Sequence, residues 1–206
     1  MSLEAFREAV WDLAPPDAEP EALLERLRFL LEGVRPGHRV LDLGCGEGTF
    51  SAALIAAGAR PIAVDAAEGA LRRARERVEG LDARRWPDGA PLPVADASVD
   101  VAWAGEVLEH VVDLAPWLSE VRRALRPRST LLVSTPHTGR AALLAAALSR
   151  GHFAERFEPR ADHLRFFSPA TLTELLDDMG FDVTDVRCVG GRPLARATIL
   201  ARAVRG

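Results

Sequence analysis

Apolar residues recur at helical spacing from the start of the chain, at Ala5, Phe6, Ala9, Val10 and Leu13, until Pro15-Pro16 stops the run. Glu21 to Leu31 makes a second helical stretch, closed by Gly33 and followed by Pro36-Gly37. The pattern then becomes an alternation of short apolar runs with longer amphipathic ones. It predicts strand 40–43, helix 48–57, strand 61–64, helix 66–79 and a weak strand from Leu81 to Trp86. A loop rich in Pro, Asp and Gly runs from Pro87 to Ser98. Strand 99–104, helix 113–125 with Pro127 as its stop signal, and strand 130–134 follow. After Pro136 the alternation breaks. Residues 137–167 carry a candidate helix at 140–149 and a connection rich in Arg, His and Phe. Helix 169–178 opens on Ser168 as N-cap, with Pro169 in its first turn, and ends at Met179-Gly180. Strands 182–189 and 197–204 meet through Gly190-Gly191-Arg192-Pro193, the signature of an antiparallel hairpin. This rhythm predicts an α/β, doubly wound, mostly parallel seven-stranded sheet with a C-terminal antiparallel hairpin, built as one domain over 1–206.

The most informative segment is Val40 to Phe50, V-L-D-L-G-C-G-E-G-T-F. An apolar run carries Asp42 and breaks into Gly44, Gly46 and Gly48 before a helix, the strand, tight turn and helix of a nucleotide-type binding loop. Glycines are required where backbone turns sharply and approaches a ligand without Cβ atoms in the way. The spacing is G-x-G-x-G rather than the G-x-G-x-x-G of dinucleotide sites, and no G-K-[ST] ending follows. The chain has no lysine at all, which excludes a phosphate-gripping lysine. The second apolar run ends in Asp65, where an acid accepts hydrogen bonds from ribose hydroxyls.

Composition narrows the field without deciding it. At 206 residues the chain is long enough for a substantial core, and 48% hydrophobic with 27% charged residues is ordinary for a soluble protein. No apolar run spans a bilayer; Ala141 to Leu148 is short and flanked by Arg140 and Arg150. No leader pattern opens the sequence. Two cysteines, Cys45 and Cys188, make no disulfide framework, so a reduced, cytoplasmic protein is expected. All 26 basic side chains are arginine, yet net charge is −4. The runs Arg72 to Arg77 and Arg122 to Arg128 therefore read as solvated helix faces, and a nucleic-acid partner is disfavoured.

With these elements in place, D-x-G-x-G-x-G followed by Asp65 resembles the class I S-adenosylmethionine-dependent methyltransferases. Further segments match from about Leu31 to the C-terminus: L-P-V-A-D-A-S-V-D at 92–100, E-V-L-E-H-V at 106–111, L-S-E-V-R-R-A-L-R-P at 118–127 and L-L-V-S-T-P at 131–136. D-H-L-R-F-F-S-P-A-T-L-T-E-L-L-D-D-M-G-F at 162–181 is similar to the ubiquinone-pathway O-methyltransferase branch. Arg128-Ser129 departs from the Gly-Gly of that pattern. The resemblance implies a Rossmann-like methyltransferase fold, S-adenosylmethionine as cofactor and a small-molecule acceptor. It places Gly44, Cys45 and Gly46 against the methionyl part, with Asp42 orienting its amino group. Asp65, next to Ala66, takes the ribose hydroxyls; Asp88 with Gly89 reads the adenine; Gly105 and Glu106 border the methionyl end. Trp86 is either cofactor wall or core.

The acceptor chemistry stays open at this level. If the segment is helical, Glu106, Glu109 and His110 share one face at i, i+3 and i+4, and with His163 can hold a divalent cation such as Mg²⁺ or Mn²⁺. That set is similar to metal-dependent small-RNA 2′-O-methyltransferases and to a metal-assisted quinone branch. Without a metal, Glu106 borders the cofactor and His110 positions substrate or acts as base. His137 after the fifth strand is a second base candidate, beside a reading as a loop-stabilising residue. Cys45 reads as a small packing residue, and His38 and His152 as surface residues. The insertion 137–167 is expected to be a lid or substrate wall, with Phe153, Phe157, Phe166 and Phe167 as apolar surface and Arg156, Arg160 and Arg165 available to an anionic acceptor. Three functions compete: small-molecule O-methylation, RNA 3′-terminal 2′-O-methylation, and non-catalytic binding of S-adenosylmethionine.

Overall fold

The computed structural model describes residues 3–13, 15, 19–139, 143–144, 147–148, 163–191 and 197–206. Two helices, α1 (Leu3–Leu13) and α2 (Leu23–Glu32), precede the sheet. Then come β1 (Arg39–Leu43), α3 (Thr49–Ala56), β2 (Arg60–Asp65), α4 (Glu68–Arg77), β3 (Asp82–Arg85) and β4 (Val99–Gly105). The chain continues with α5 (Leu114–Ala124), β5 (Leu125–Pro136), α6 (Pro169–Asp178), β6 (Phe181–Val189) and β7 (Thr198–Arg205). Strand order is β3-β2-β1-β4-β5-β7-β6. The first five strands are parallel, and β7 runs antiparallel between β5 and β6. The order reverses between β1 and β4, the place where open α/β sheets bind ligands. Among the described residues no helix is long and apolar enough to cross a membrane.

Parallel strands covered on both faces are apolar nearly throughout, and β1 is buried from Val40 to Leu43. One face packs Leu41, Leu43 and Val64 against Leu118 and Val121 of α5 and Leu172 and Leu176 of α6. The opposite face packs Val40, Val101 and Trp103 against Phe29 and Leu30 of α2 and Phe50 and Leu54 of α3. The seven strands and the terminal hairpin follow the sequence expectation. So does the start of α6, where Ser168 Oγ accepts from Thr171 N at 3.3 Å and Thr171 Oγ1 accepts from Ser168 N at 3.0 Å.

The main departure lies before strand five. Helix α5 ends at Ala124, not at 125, and β5 starts five residues earlier than expected. Pro127 disfavours helical geometry at Arg126, and the strand instead shifts register between Val99 and Val101, with Arg128 at φ +64°. Arg128, which departs from the Gly-Gly of the pattern the sequence resembles, thus adopts a glycine-like conformation within the irregular part of the strand. Of the expected helix 140–149, the residues 143–144 and 147–148 are described and are helical. His152, Phe153, Arg156, Phe157 and Arg160 lie outside the described residues, as do Arg192 and Pro193 of the hairpin connection.

Leu41, fully buried between the central strands, tests the packing. Leu41→Ala should cost about 2–5 kcal/mol, read as a lower urea midpoint with unchanged slope. A loss under about 1 kcal/mol would contradict a close-packed centre.

Candidate active site

Three left-handed glycines, Gly44 at φ +61°, Gly46 at +53° and Gly48 at +81°, turn the chain from β1 into α3. At Gly44 a Cβ would stand 2.5 Å from Val107 Cγ2, so the backbone must be bare there. Asp65, the last residue of β2, accepts from Gly46 N at 3.0 Å through Oδ2 and from Ala67 N at 2.9 Å through Oδ1. A carboxylate has about four lone-pair sites. Tying down the glycine turn therefore leaves Asp65 acceptor capacity for a ligand.

Beside these strand ends lies a cavity of about 870 Å³, at the upper end of the roughly 300–1,000 Å³ usual for ligand pockets. Gly44, Asp65, Ala66, Asp88, Gly89 and Glu106 border it, as do Trp86 and His110. Asp42, Cys45, Gly46 and Gly105, also expected at the cofactor, are not in its wall. Asp42 is buried beneath the turn, accepting from Ser51 Oγ at 2.6 Å. Cys45 packs with Ala63, Leu71 and Ala74. Gly46 is covered by the Trp11 indole, and Gly105 is hemmed in by Trp103 and Arg26.

Helix α1 supplies a wall that sequence reasoning did not assign. Phe6, Arg7, Val10 and Trp11 line the cavity. Arg7 donates to Asp88 Oδ1 at 2.9 Å and to the carbonyl of His110 at 3.3 Å. Glu8 accepts from Glu68 N at 2.7 Å and Gly69 N at 3.0 Å, capping the start of α4 from another helix. Those bonds, that from Gly69 above all, hold its carboxyl below its ordinary range. Arg73 donates to the carbonyl of Trp11 at 2.7 Å, and Glu4 pairs with Arg85. Arg7 and Trp11, four residues apart, share one face of α1, and the sequence carries no sign of what that face meets.

On the far side of the switch point, Glu106 adopts φ +57° and does not share a helix with Glu109 and His110. Its N–H bonds the carbonyl of Ser134 at 2.9 Å, and its Oε1 accepts from Ser134 Oγ at 2.8 Å. A tight 3-10 turn, Leu108–His110, sends the next two polar side chains in different directions. Glu109 turns inward with its side chain 1% exposed, its Oε2 accepting from Thr135 Oγ1 at 2.9 Å and its Oε1 without a hydrogen-bond partner among the described residues. His110 borders the cavity, its Nε2 3.9 Å from Glu109 Oε1 and its ring centroid 4.9 Å from that of His163. One donor atom from each of Glu109, His110 and His163 falls within 4.8 Å of the others. Glu106 is outside that group. His137 forms a backbone bridge with Phe167, its N–H bonding the carbonyl of Ala197 at 2.7 Å, and is not in the cavity wall.

Burial dominates the electrostatics. It raises the carboxyl of Asp42 to about 7 and that of Glu109 to about 8, and pushes Asp65 and Glu106 upward too. The Cys45 thiol is also pushed up by burial, which suits packing and not nucleophilic attack. Arg26 is the buried cation among these acids, its own value lowered by burial.

Residues 17–186 match the family described as "Methyltransferase domain". The chain is 39% identical over 156 residues to a probable S-adenosylmethionine-dependent methyltransferase of Mycolicibacterium smegmatis, covering 72% of this chain and 54% of that protein. It thus spans about half of that relative's length. It is 30% identical over 178 residues to a ubiquinone biosynthesis O-methyltransferase of Hahella chejuensis, covering 83% of this chain and 74% of that one. Among solved structures, an S-adenosylmethionine-dependent methyltransferase from Mesorhizobium loti superposes with a TM-score of 0.68 at 23% identity, over 95% of this chain and all of that one.

The buried acids set a pH signature. A carboxyl whose folded pKa is raised stabilises the fold fully below its unfolded value and loses that contribution as pH rises through the folded one. For Asp42 the window runs from 3.8 to about 7. Asp42→Asn should flatten the fall of unfolding free energy across that window, by up to about 1.4 kcal/mol per pH unit. An unchanged slope in denaturant titrations would contradict the assignment.

Proposed function

The chain belongs to the class I S-adenosylmethionine-dependent methyltransferases, and from that premise we propose that it transfers the methyl group to a hydroxyl of a small-molecule acceptor. The observation that carries this reading is the cavity at the sheet's switch point that Gly44, Asp65, Asp88, Glu106 and His110 share. The residues present fit the cofactor. Bare backbone at Gly44 gives close approach, Asp65 retains acceptor capacity for a diol, and Asp88 stands across the cavity for an amino edge. When bound, S-adenosylmethionine supplies a methyl on a sulfonium sulfur, already activated for in-line displacement.

The protein's share of the work is then alignment, exclusion of water and handling of one proton. Trp86 stacks on Trp117 at 5.4 Å, giving the cavity a rigid aromatic wall. His110, on the rim and beside the buried Glu109, is the side chain set to take the acceptor's proton at an imidazole nitrogen. The net charge of −4 favours a small acceptor over an RNA end.

A metal-assisted variant has its own support in Glu109 Oε1, which has no hydrogen bond among the described residues, and in its convergence with His110 and His163. Two imidazoles and one carboxylate fit Mn²⁺ better than the oxygen-loving Mg²⁺. In that variant Glu109, His110 and His163 hold the ion, which lowers the pKa of the acceptor hydroxyl.

Calorimetric titration with S-adenosylmethionine tests the cofactor assignment. Asp65→Ala should weaken binding by about 1.5–3 kcal/mol, and unchanged affinity would remove its ribose role. His110→Ala should keep cofactor affinity while lowering turnover roughly 10²–10⁴-fold over an acceptor panel. A chelator separates the two variants of the proton step. Loss of turnover with recovery on Mn²⁺ supports the metal, and full activity in chelator leaves His110 to act as base. Tight cofactor binding with no turnover on any acceptor would make the chain a binding protein and sink the enzymatic reading.

A further inference from the structure

Arg7 belongs to the cavity-lining face of α1, with Phe6, Val10 and Trp11. One nitrogen of its guanidinium, Nη2, bonds two loops at once, Asp88 Oδ1 at 2.9 Å and the His110 carbonyl at 3.3 Å. Asp88 follows β3 and His110 follows β4, strands that stand on either side of β2 and β1 in the sheet. A nitrogen that reaches both loops therefore lies over the carboxyl ends of β1 and β2, beside Asp65 and the glycine turn. Its charge is felt at Asp65, whose carboxyl is raised by burial and drawn back by the Ala67 and Gly46 amides and by Arg7. Asp88 itself sits in a turn, where Ala90 N bonds the Pro87 carbonyl at 3.2 Å and Gly89 takes φ +73°. Its side chain is 36% exposed and that of Arg7 25%. An ion pair so exposed adds little stability. Its physical consequence is orientation, because a half-exposed carboxylate on a turn otherwise keeps its rotamer freedom.

We propose that Arg7 is a specificity-determining residue for the cofactor's purine: it holds Asp88 in the orientation that accepts from an adenine amino group, and so ties the seating of α1 to the bound base. This proposal rests on the cofactor reading given above. The bond to Arg7 takes one of about four lone-pair sites on the carboxylate and leaves others for the ligand. A carboxylate fixed in place accepts from an amino group at the purine 6-position and repels an oxygen there, whereas a mobile one turns away from either. Arg7 does not touch the reacting atoms, and it acts on the ligand through Asp88. The remaining fastenings of α1, Glu4 to Arg85, Glu8 to the start of α4 and Trp11 to Arg73, lie away from Asp88 and do not orient it.

Calorimetry with S-adenosylhomocysteine and its inosyl analogue, in which a carbonyl oxygen replaces the purine amino group, tests this directly. The wild-type protein should bind the adenosyl ligand about 10- to 100-fold more tightly, the range for a hydrogen bond to a charged group. Arg7→Met should shrink that ratio at least about threefold. In an Asp88→Ala background the same substitution should leave the ratio unchanged, since the two residues act as one unit. Equal losses for both ligands in Arg7→Met would make Arg7 a fastening of α1 and overturn the proposal, as would a wild type that does not discriminate. Hydrogen exchange on the wild-type protein decides even if the variant fails to fold. At saturation, the α1 amides should exchange more slowly with the adenosyl ligand than with the inosyl one, and equal protection would overturn the link to α1. Failure to bind either S-adenosylmethionine or S-adenosylhomocysteine would instead sink the cofactor reading itself.

Discussion

Five parallel strands deliver their last residues to one edge of the sheet, and the cavity and the buried acids described above collect at that edge. A parallel strand cannot return by a hairpin, so each must be followed by a crossover. The loops after β1, β2, β3 and β4 consequently open side by side. Between β1 and β4 the strand order reverses and the crossovers leave for opposite faces. Gly44 and Val107 mark how closely the two loops approach there.

The same edge concentrates charge that the core does not tolerate well. Asp42, Asp65, Glu106 and Glu109 are all held above the ordinary carboxyl range by burial. The structure offsets this only in part, through Ser51, Ser134, Thr135, the backbone of the glycine turn and nearby cations such as Arg26 and Arg7. An acid-rich pocket of this kind suits a positively charged ligand, and a sulfonium cofactor is one. Strain adds to the cost, since Glu106 sits in a left-handed conformation that a non-glycine residue adopts only when its surroundings enforce it.

Helix α1 completes the site from outside the sheet. It touches the body through polar bonds more than through a shared core: Arg7 to Asp88, Glu8 to the start of α4, Arg73 to Trp11 and Glu4 to Arg85. Arg7 engages the side chain assigned to the adenine, and the Trp11 indole lies on Gly46 of the glycine turn. The wall formed by α1 is therefore coupled to the same groups that are proposed above to meet the ligand.

The alternation of apolar runs determined the seven strands, their mostly parallel order and the terminal hairpin, because strand and helix periods are local properties. Gly44, Gly46 and Asp65 were legible for a related reason: a bare turn and an acid closing the second strand carry their chemistry in their spacing. What lies across the cavity was not legible. Glu106, Glu109 and His110 suggested one helical face, but hydrogen bonds to Ser134 and Thr135, residues more than twenty positions away, hold the segment as a left-handed residue followed by a tight turn. Nothing in the sequence pattern singled out Arg26 or Trp11. Their burial depends on where α2 and α1 come to rest, and only the packing of distant segments decides that.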